Sequence, residues 1–262
     1  EIPPAKIVEL PWGAAVDRFA DTDFEHGYTD GALNTDGALN TDGALSTDAA
    51  LNVEGVRAIR AKSVCVFLGS FRAWHGALDV VRAGALLLAM GRDCHFLLIG
   101  DGPERPAAER LASVWPGRFT FTGAVAYDEV PRLLAGAAVG VAPFTTAPHP
   151  ALRAAGFFWS PLKVYEYMAA GLPVVTADIP PLNQVIRDGQ EGALFAEGDV
   201  PGLAAAIARL LDDPAAARAI GARARVRVAE HFSWARHCEA LERVMVEIAG
   251  AREGRVYGNP FA

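Results

Sequence analysis

Cysteine is scarce in this sequence. Cys65, Cys94 and Cys238 are the only three, odd in number and far apart, with no Cys-x-x-Cys pair among them. A disulfide framework and a zinc ribbon are therefore not expected, and a reducing compartment fits. Long apolar runs are missing too. The longest, Ala83 to Met90, is interrupted by Gly84 and falls far short of the about 20 residues that a membrane span needs. The opening EIPPAKIVEL has neither the basic start nor the apolar stretch of a signal peptide. Positive charge is in the minority, with 24 Lys+Arg against 31 Asp+Glu and a net charge of −7. No nucleic-acid partner held by bulk electrostatics is expected, although a local basic pocket is compatible with this balance. A cytoplasmic location is expected, with peripheral membrane contact as the alternative.

The chain is rich in material for a core. Hydrophobic residues make up 52% of its 262 residues and charged residues 21%, which excludes a mostly disordered chain. It begins at Glu1 rather than Met, and is read as a processed product or a fragment. From Thr29 to Asn52 it runs TDGALN, TDGALN, TDGALS, TDAALN, a period of six. Such a repeat could wind a β-helix or gather Asp30, Asp36, Asp42 and Asp48 around a cation. Four short copies bury little, so a surface loop insertion is the favoured reading.

Beyond Asn52, short runs of Val, Ile, Leu and Phe alternate with amphipathic stretches. Strands are predicted at 63–69, 118–123, 139–144 and 173–178, and a strand with a following turn at 94–102 and at 192–199. Helices are predicted at 74–90, 104–114, 127–135, 162–170, 181–187, 200–211, 214–230 and 234–249. Continuous apolar strands alternating with helices mark a parallel sheet covered on both faces. The expected fold is a doubly wound, Rossmann-like α/β domain. Its ligand would sit beyond the carboxyl ends of the strands, so useful residues should follow each strand.

After the first predicted strand comes Gly69-Ser70-Phe71-Arg72-Ala73-Trp74-His75-Gly76. The glycines permit close backbone approach, and Arg72 and His75 could set positive charge beside a phosphate. The alternative for His75 is simple packing under Trp74. Gly100-Asp101-Gly102-Pro103 reads as turn chemistry. Gly123-Ala124-Val125 is small enough for backbone to meet the edge of a base. Ser160 and Pro161 suit the N-cap and first position of a helix, which would free the N–H groups of Leu162 and Lys163 for an anion. Glu166, one turn on, could accept hydrogen bonds from a ribose diol. On spacing alone Lys163 and Glu166 read equally as a surface ion pair.

These segments resemble the carboxyl-terminal half of family-4 glycosyltransferases of the GT-B fold. KIVELPWGAAVDRF (6–19), FLGSFRAWHG (67–76), FLLIGDGPER (96–105), FTGAV (121–125), VAPF (141–144), SPLKVYEYMAAGLPVV (160–175), DGQEGALFAEGD (188–199) and HFSW (231–234) follow the family's order and approximate spacing. The resemblance covers nearly the whole chain apart from the repeat. It implies a hexosyltransferase that takes a nucleoside-diphosphate sugar as donor, needs no metal or other cofactor, and transfers to an acceptor hydroxyl on a saccharide or lipid with retention of configuration. It implies that Glu166 binds the ribose, that Ser160, Pro161, Leu162 and Lys163 with Gly69, Ser70, Arg72 and His75 surround the diphosphate, and that backbone near Val125 contacts the base. Three departures stand out. Phe158 occupies a place that often holds Glu, Ser70 and His75 stand where Arg and Lys are usual, with Arg72 expected to compensate for the first, and Trp12 replaces Asn.

The resemblance also implies an amino-terminal GT-B domain that would bind the acceptor, expected either as a part missing from this piece or as a separate chain. No catalytic residue is assigned to this chain, and a non-catalytic nucleotide-binding subunit or scaffold is the alternative. The expected divisions are a lead-in segment at 1–22, the repeat insertion at 23–52, the nucleotide-sugar-binding domain at 53–233, and a crossing helix with tail at 234–262. The stripe Leu241, Val244, Met245 and Ile248 on that helix is expected to be partly exposed. His149 and Arg153, in the long loop Thr145 to Gly156, are further candidates to meet the donor sugar.

Overall fold

The computed structural model describes residues 12–19 and 63–253. The hexapeptide repeat and its cation reading lie outside the described residues. Six strands form one parallel sheet: β1 (Ser63–Leu68), β2 (Cys94–Ile99), β3 (Phe119–Gly123), β4 (Val139–Ala142), β5 (Val174–Ala177) and β6 (Gly192–Phe195). Their order is β3-β2-β1-β4-β5-β6, so the chain starts in the middle and winds outward both ways. That is the doubly wound α/β arrangement that the alternating pattern predicts.

Nine α-helices are described: α1 (Ala77–Ala89), α2 (Arg105–Ala112), α3 (Val130–Ala135), α4 (Pro150–Ala155), α5 (Leu162–Ala169), α6 (Leu182–Val185), α7 (Val200–Asp212), α8 (Pro214–His231) and α9 (Trp234–Glu253). α1 packs on α2 and α7, and α5 packs on α8. The central strands are buried along their length, as continuous apolar strands between two helical layers must be. Asp199 and Asp213 cap α7 and α8 by accepting from the backbone N–H of Gly202 (3.0 Å) and Ala216 (2.9 Å).

The helix expected from Trp74 starts three residues later, because Ala73–His75 form a 3-10 turn that ends at Gly76 in a left-handed conformation (φ 73°). The loop from Thr145 to Gly156 contains α4, opened by Pro150 at its first position, a start that fits proline's fixed φ. The last helix, α9, leaves Leu241, Met245 and Ile248 exposed and Val244 half-buried.

Between β1 and β4, where the winding reverses, pairing runs through Cys65↔Val139 and Val66↔Gly140. Beyond it the phenol of Tyr167 enters from α5. Its Oη accepts from Leu68 N (2.6 Å) and donates to the Val141 carbonyl (3.4 Å). A side chain at position 140 would leave no room for that ring, since a Cβ there would lie 2.5 Å from it. Tyr167 thus fills the junction of β1 and β4 while satisfying buried backbone groups. Tyr167→Phe is expected to strand the Leu68 N–H and cost about 1–3 kcal/mol in urea denaturation. Unchanged stability would show that water replaces the phenol.

Candidate functional site

The reversal point gathers the sequence-predicted residues from three directions. Gly69 follows β1 with φ 140°, and its N–H donates to the Ile99 carbonyl (2.9 Å) at the end of β2. The tip of Lys163 lies over it: a Cβ on Gly69 would be 2.6 Å from Nζ. Lys163 comes from the first turn of α5, whose residues 163–169 are all buried. Its ammonium sits 4.3 Å from the centre of the Phe67 ring and 4.8 Å from that of Phe144. Nζ is buried and has no hydrogen-bond partner.

A buried, unpaired ammonium is unfavourable in an apolar setting. Desolvation lowers the Lys163 pKa to about 7, against a smaller upward pull from Glu166. The two residues are not a surface ion pair, as spacing alone allowed. Both are buried, and no contact within 4.0 Å joins them among the described salt bridges. Burial raises the Glu166 pKa, while the Tyr127 hydroxyl and the nearby Lys163 oppose that shift. The Tyr127 pKa is pushed up to about 12, first by burial and then by the neighbouring Glu166 carboxylate. Arg18 lies 4.8 Å over the Tyr127 ring and pairs with Asp128 (2.5 Å), which ties the segment 12–19 to the loop after β3. Val125 is half-buried in that same loop.

The start of α5 departs from the expected cap. Pro161, not Ser160, is the N-cap residue, and no side chain caps the helix. The ψ of 66° at Pro161 places it just outside the helix. The Ser160 hydroxyl instead accepts from Trp12 N (2.9 Å). The Leu162 N–H is taken by the Ser160 carbonyl (2.9 Å), so it is not free for an anion, and the Leu162 side chain is exposed.

The loop after β1 separates the two readings of His75. His75 is pulled down to about 4, first by burial, then by Lys163, against a hydrogen bond to the Ser70 carbonyl, with Arg72 adding a smaller downward push. It is neutral at pH 7 and adds no positive charge. Its Nδ1 donates to the Ser70 carbonyl (2.7 Å), with the Ser70 hydroxyl 3.0 Å away. Its ring packs edge-on to Trp74 (5.9 Å) and Phe144 (5.5 Å), the packing alternative. Arg72 is exposed, with its guanidinium 5.3 Å over the Trp74 ring.

Sequence reasoning did not single out Tyr127, Tyr167 or Glu197. Glu197, after β6, accepts from the hydroxyls of Thr145 (2.9 Å) and Thr146 (2.8 Å) and from the Thr146 backbone. Desolvation opposes its ionisation, but these hydrogen bonds hold its pKa below the ordinary value. It pins the loop that follows β4. The consecutive threonines were a weak signal, because their partner lies 51 and 52 residues away.

The family described as "Glycosyl transferases group 1" matches residues 62–213. Among curated proteins, the chain is 30% identical over 155 residues to an alpha-D-kanosaminyltransferase of Streptomyces kanamyceticus, covering 58% of this chain and 37% of that one. It is 28% identical over 245 residues to a phosphatidyl-myo-inositol mannosyltransferase of Mycolicibacterium smegmatis, covering 93% and 53%. The chain thus spans about half the length of such relatives, or less. A glycosyltransferase from Rickettsia africae superposes with a TM-score of 0.65 at 15% identity, over 95% of this chain and 59% of that one. An Anabaena protein solved with UDP-glucose superposes at 0.60 and 21% identity, over 74% and 50%. At those identities the superpositions show the fold alone.

Proposed function

The chain belongs to the group 1 glycosyl transferases, and we propose that it is the donor-binding half of such an enzyme, holding a nucleoside-diphosphate sugar across the carboxyl ends of β3, β1 and β4. One observation carries this reading: the Lys163 ammonium is buried without a partner over the glycine backbone at the reversal point. A diphosphate is the kind of ligand that would complete it, because an oxyanion supplies the missing acceptor and the opposite charge. Names among the relatives and neighbours, from kanosaminyl and mannosyl transfer to a UDP-glucose complex, support a nucleotide-sugar donor.

In this reading Glu166 accepts the ribose hydroxyls, and the base lies against the loop of Val125. Gly69, Ser70, Arg72, His75, Ser160, Pro161 and Leu162 wall the diphosphate. Ser70 and neutral His75 act by shape and hydrogen bonding, and Arg72 and Lys163 by charge. As the sugar leaves, negative charge grows on the diphosphate, and Lys163 stabilises it in a low-dielectric site without a divalent metal. The acceptor, a saccharide or lipid hydroxyl, comes from an amino-terminal domain, with retention of configuration. The sequence resemblance supports this last step.

Calorimetric titration with UDP, GDP and ADP in the presence of a chelator tests the reading. One of the three is expected to bind. Glu166→Gln is expected to weaken it about tenfold and to abolish discrimination against the 2′-deoxy nucleotide. A folded chain that binds none of them would sink the donor-site reading.

A further inference from the structure

Beside Lys163 lies an aromatic cluster to which the proposed nucleotide contacts give no role. Phe144, 4.8 Å from the ammonium, packs on Phe157 (4.7 Å between ring centres), which meets Trp159 (6.2 Å). Trp159 meets Phe158 (4.9 Å), Trp74 (5.7 Å) and His149 (5.8 Å). Phe144 and Phe157 are buried, whereas Phe158 is 55% and Trp159 37% exposed. The rings therefore form a wall rooted in the core and open on its outer side. His149 Nδ1 is buried within it with no hydrogen-bond partner, although its ring lies only 4.9 Å from that of Trp74.

The position of this wall follows from the sheet order. Glu166 and Tyr127 mark the β3 side of the site, Lys163 its middle, and the segment from β4 to α5 the far side. A nucleotide whose ribose sits at Glu166 and whose diphosphate sits at Lys163 therefore extends its remaining group toward the aromatic wall. The chemistry there is unusual for reading hydroxyls. No Asp or Glu occurs between Glu129 and Glu166. Glu197, which reaches this region, is occupied by Thr145 and Thr146. The ring cluster itself offers π surface, suited to the C–H face of a pyranose, and one unpartnered imidazole nitrogen at His149, with Arg153 exposed one turn on in α4.

We propose that Trp74, His149, Phe158 and Trp159 form the subsite for the transferred sugar and select a hexose poor in hydroxyls, such as a 6-deoxyhexose, over its fully hydroxylated counterpart. This rests on the donor-site reading above. A hydroxyl pressed onto a ring face, out of reach of His149 Nδ1, exchanges water for no partner, which weakens binding by about tenfold. A methyl in its place gains by burial instead.

Two matched pairs of ligands test it: UDP-glucose with UDP-6-deoxyglucose, and GDP-mannose with GDP-6-deoxymannose, each alongside its nucleoside diphosphate. For the base that binds, the deoxy sugar is expected to bind about tenfold tighter than its partner. Trp159→Ala and Phe158→Ser should bring that ratio close to 1, with circular dichroism confirming the fold. If the diphosphate binds but both sugars bind equally, or the hydroxylated one more tightly, the wall faces protein or solvent. The subsite proposal then falls while the donor site stands. A variant loss of equal size for nucleotide sugar and nucleoside diphosphate would overturn it in the same way. If no nucleoside diphosphate binds, both readings fall together.

Discussion

Lys163→Met is expected to give a chain that folds more stably and no longer binds a nucleoside diphosphate. The two effects have one cause. The ammonium is buried against Phe67 and Phe144 with no hydrogen-bond partner, so in the empty chain it is a cost. Methionine keeps the length, suits the aromatic faces and carries no charge. Replacing a buried unpaired cation in this way should gain on the order of 2–4 kcal/mol. The pH dependence identifies the source. An ordinary lysine titrates near 10.5, and Lys163 in the folded chain near about 7. Below pH 7 both folded and unfolded chains carry the proton, and the folded chain bears the full cost. Between 7 and 10.5 the unfolded chain holds more protons, so wild-type stability rises across that window. The advantage of Lys163→Met should be largest below pH 7 and should shrink toward 10.5, as read by urea denaturation at several pH values. Binding provides the converse. A diphosphate restores a partner and raises the lysine's proton affinity, so titration at about pH 8.5 in buffers of different ionisation enthalpy should show uptake of about one proton. A variant less stable than wild type at pH 6 would mean that the ammonium has a partner after all.

The fold was legible because its signals are local. SVCVFL, CHFLLI and VVTA are apolar on both faces, and only a sheet covered on both sides accommodates them. Glycines and prolines marked the ends of elements: Gly69 follows β1, and the Ser160–Lys163 run opens α5. What the sequence could not convey was environment. Lys163 and Glu166 at i and i+3 fit an exposed ion pair as well as a buried site, and only tertiary packing separates those outcomes. For His75 the residue type left positive charge and packing under Trp74 both open. Burial and the neighbouring Lys163 make it neutral, and both depend on contacts between β1, β4 and α5. Ser160 followed by Pro161 has the local chemistry of a cap. Its hydroxyl was claimed by Trp12, 148 residues away, and no local rule anticipates such a competitor.

The loops after β1 and β2 supply the second large effect. Gly100 has φ 120°, and a Cβ there would stand 2.1 Å from the Gly69 carbonyl oxygen and 2.9 Å from its carbonyl carbon. Those atoms are backbone, held by the bond from Gly69 N to the Ile99 carbonyl (2.9 Å) and by that from Phe71 N to the Asp101 carbonyl (2.9 Å). Neither side can yield cheaply. Gly100→Ala should therefore cost about 3 kcal/mol or more and pull Gly69 away from Lys163, losing stability and nucleotide affinity together. Gly69→Ala makes a different collision. Its nearest neighbour would be Lys163 Nζ at 2.6 Å, the end of a flexible side chain that can swing aside. The backbone at φ 140° still adds strain of about 1–3 kcal/mol, but the main loss should be of ligand, because the methyl group takes the ammonium's place. Thermal unfolding and nucleoside-diphosphate titration of both variants separate the cases: affinity lost with most of the fold retained for Gly69→Ala, and both lost for Gly100→Ala. If Gly100→Ala melted like wild type, the two loops would not be in backbone contact, and the platform beneath Lys163 would have to be formed some other way.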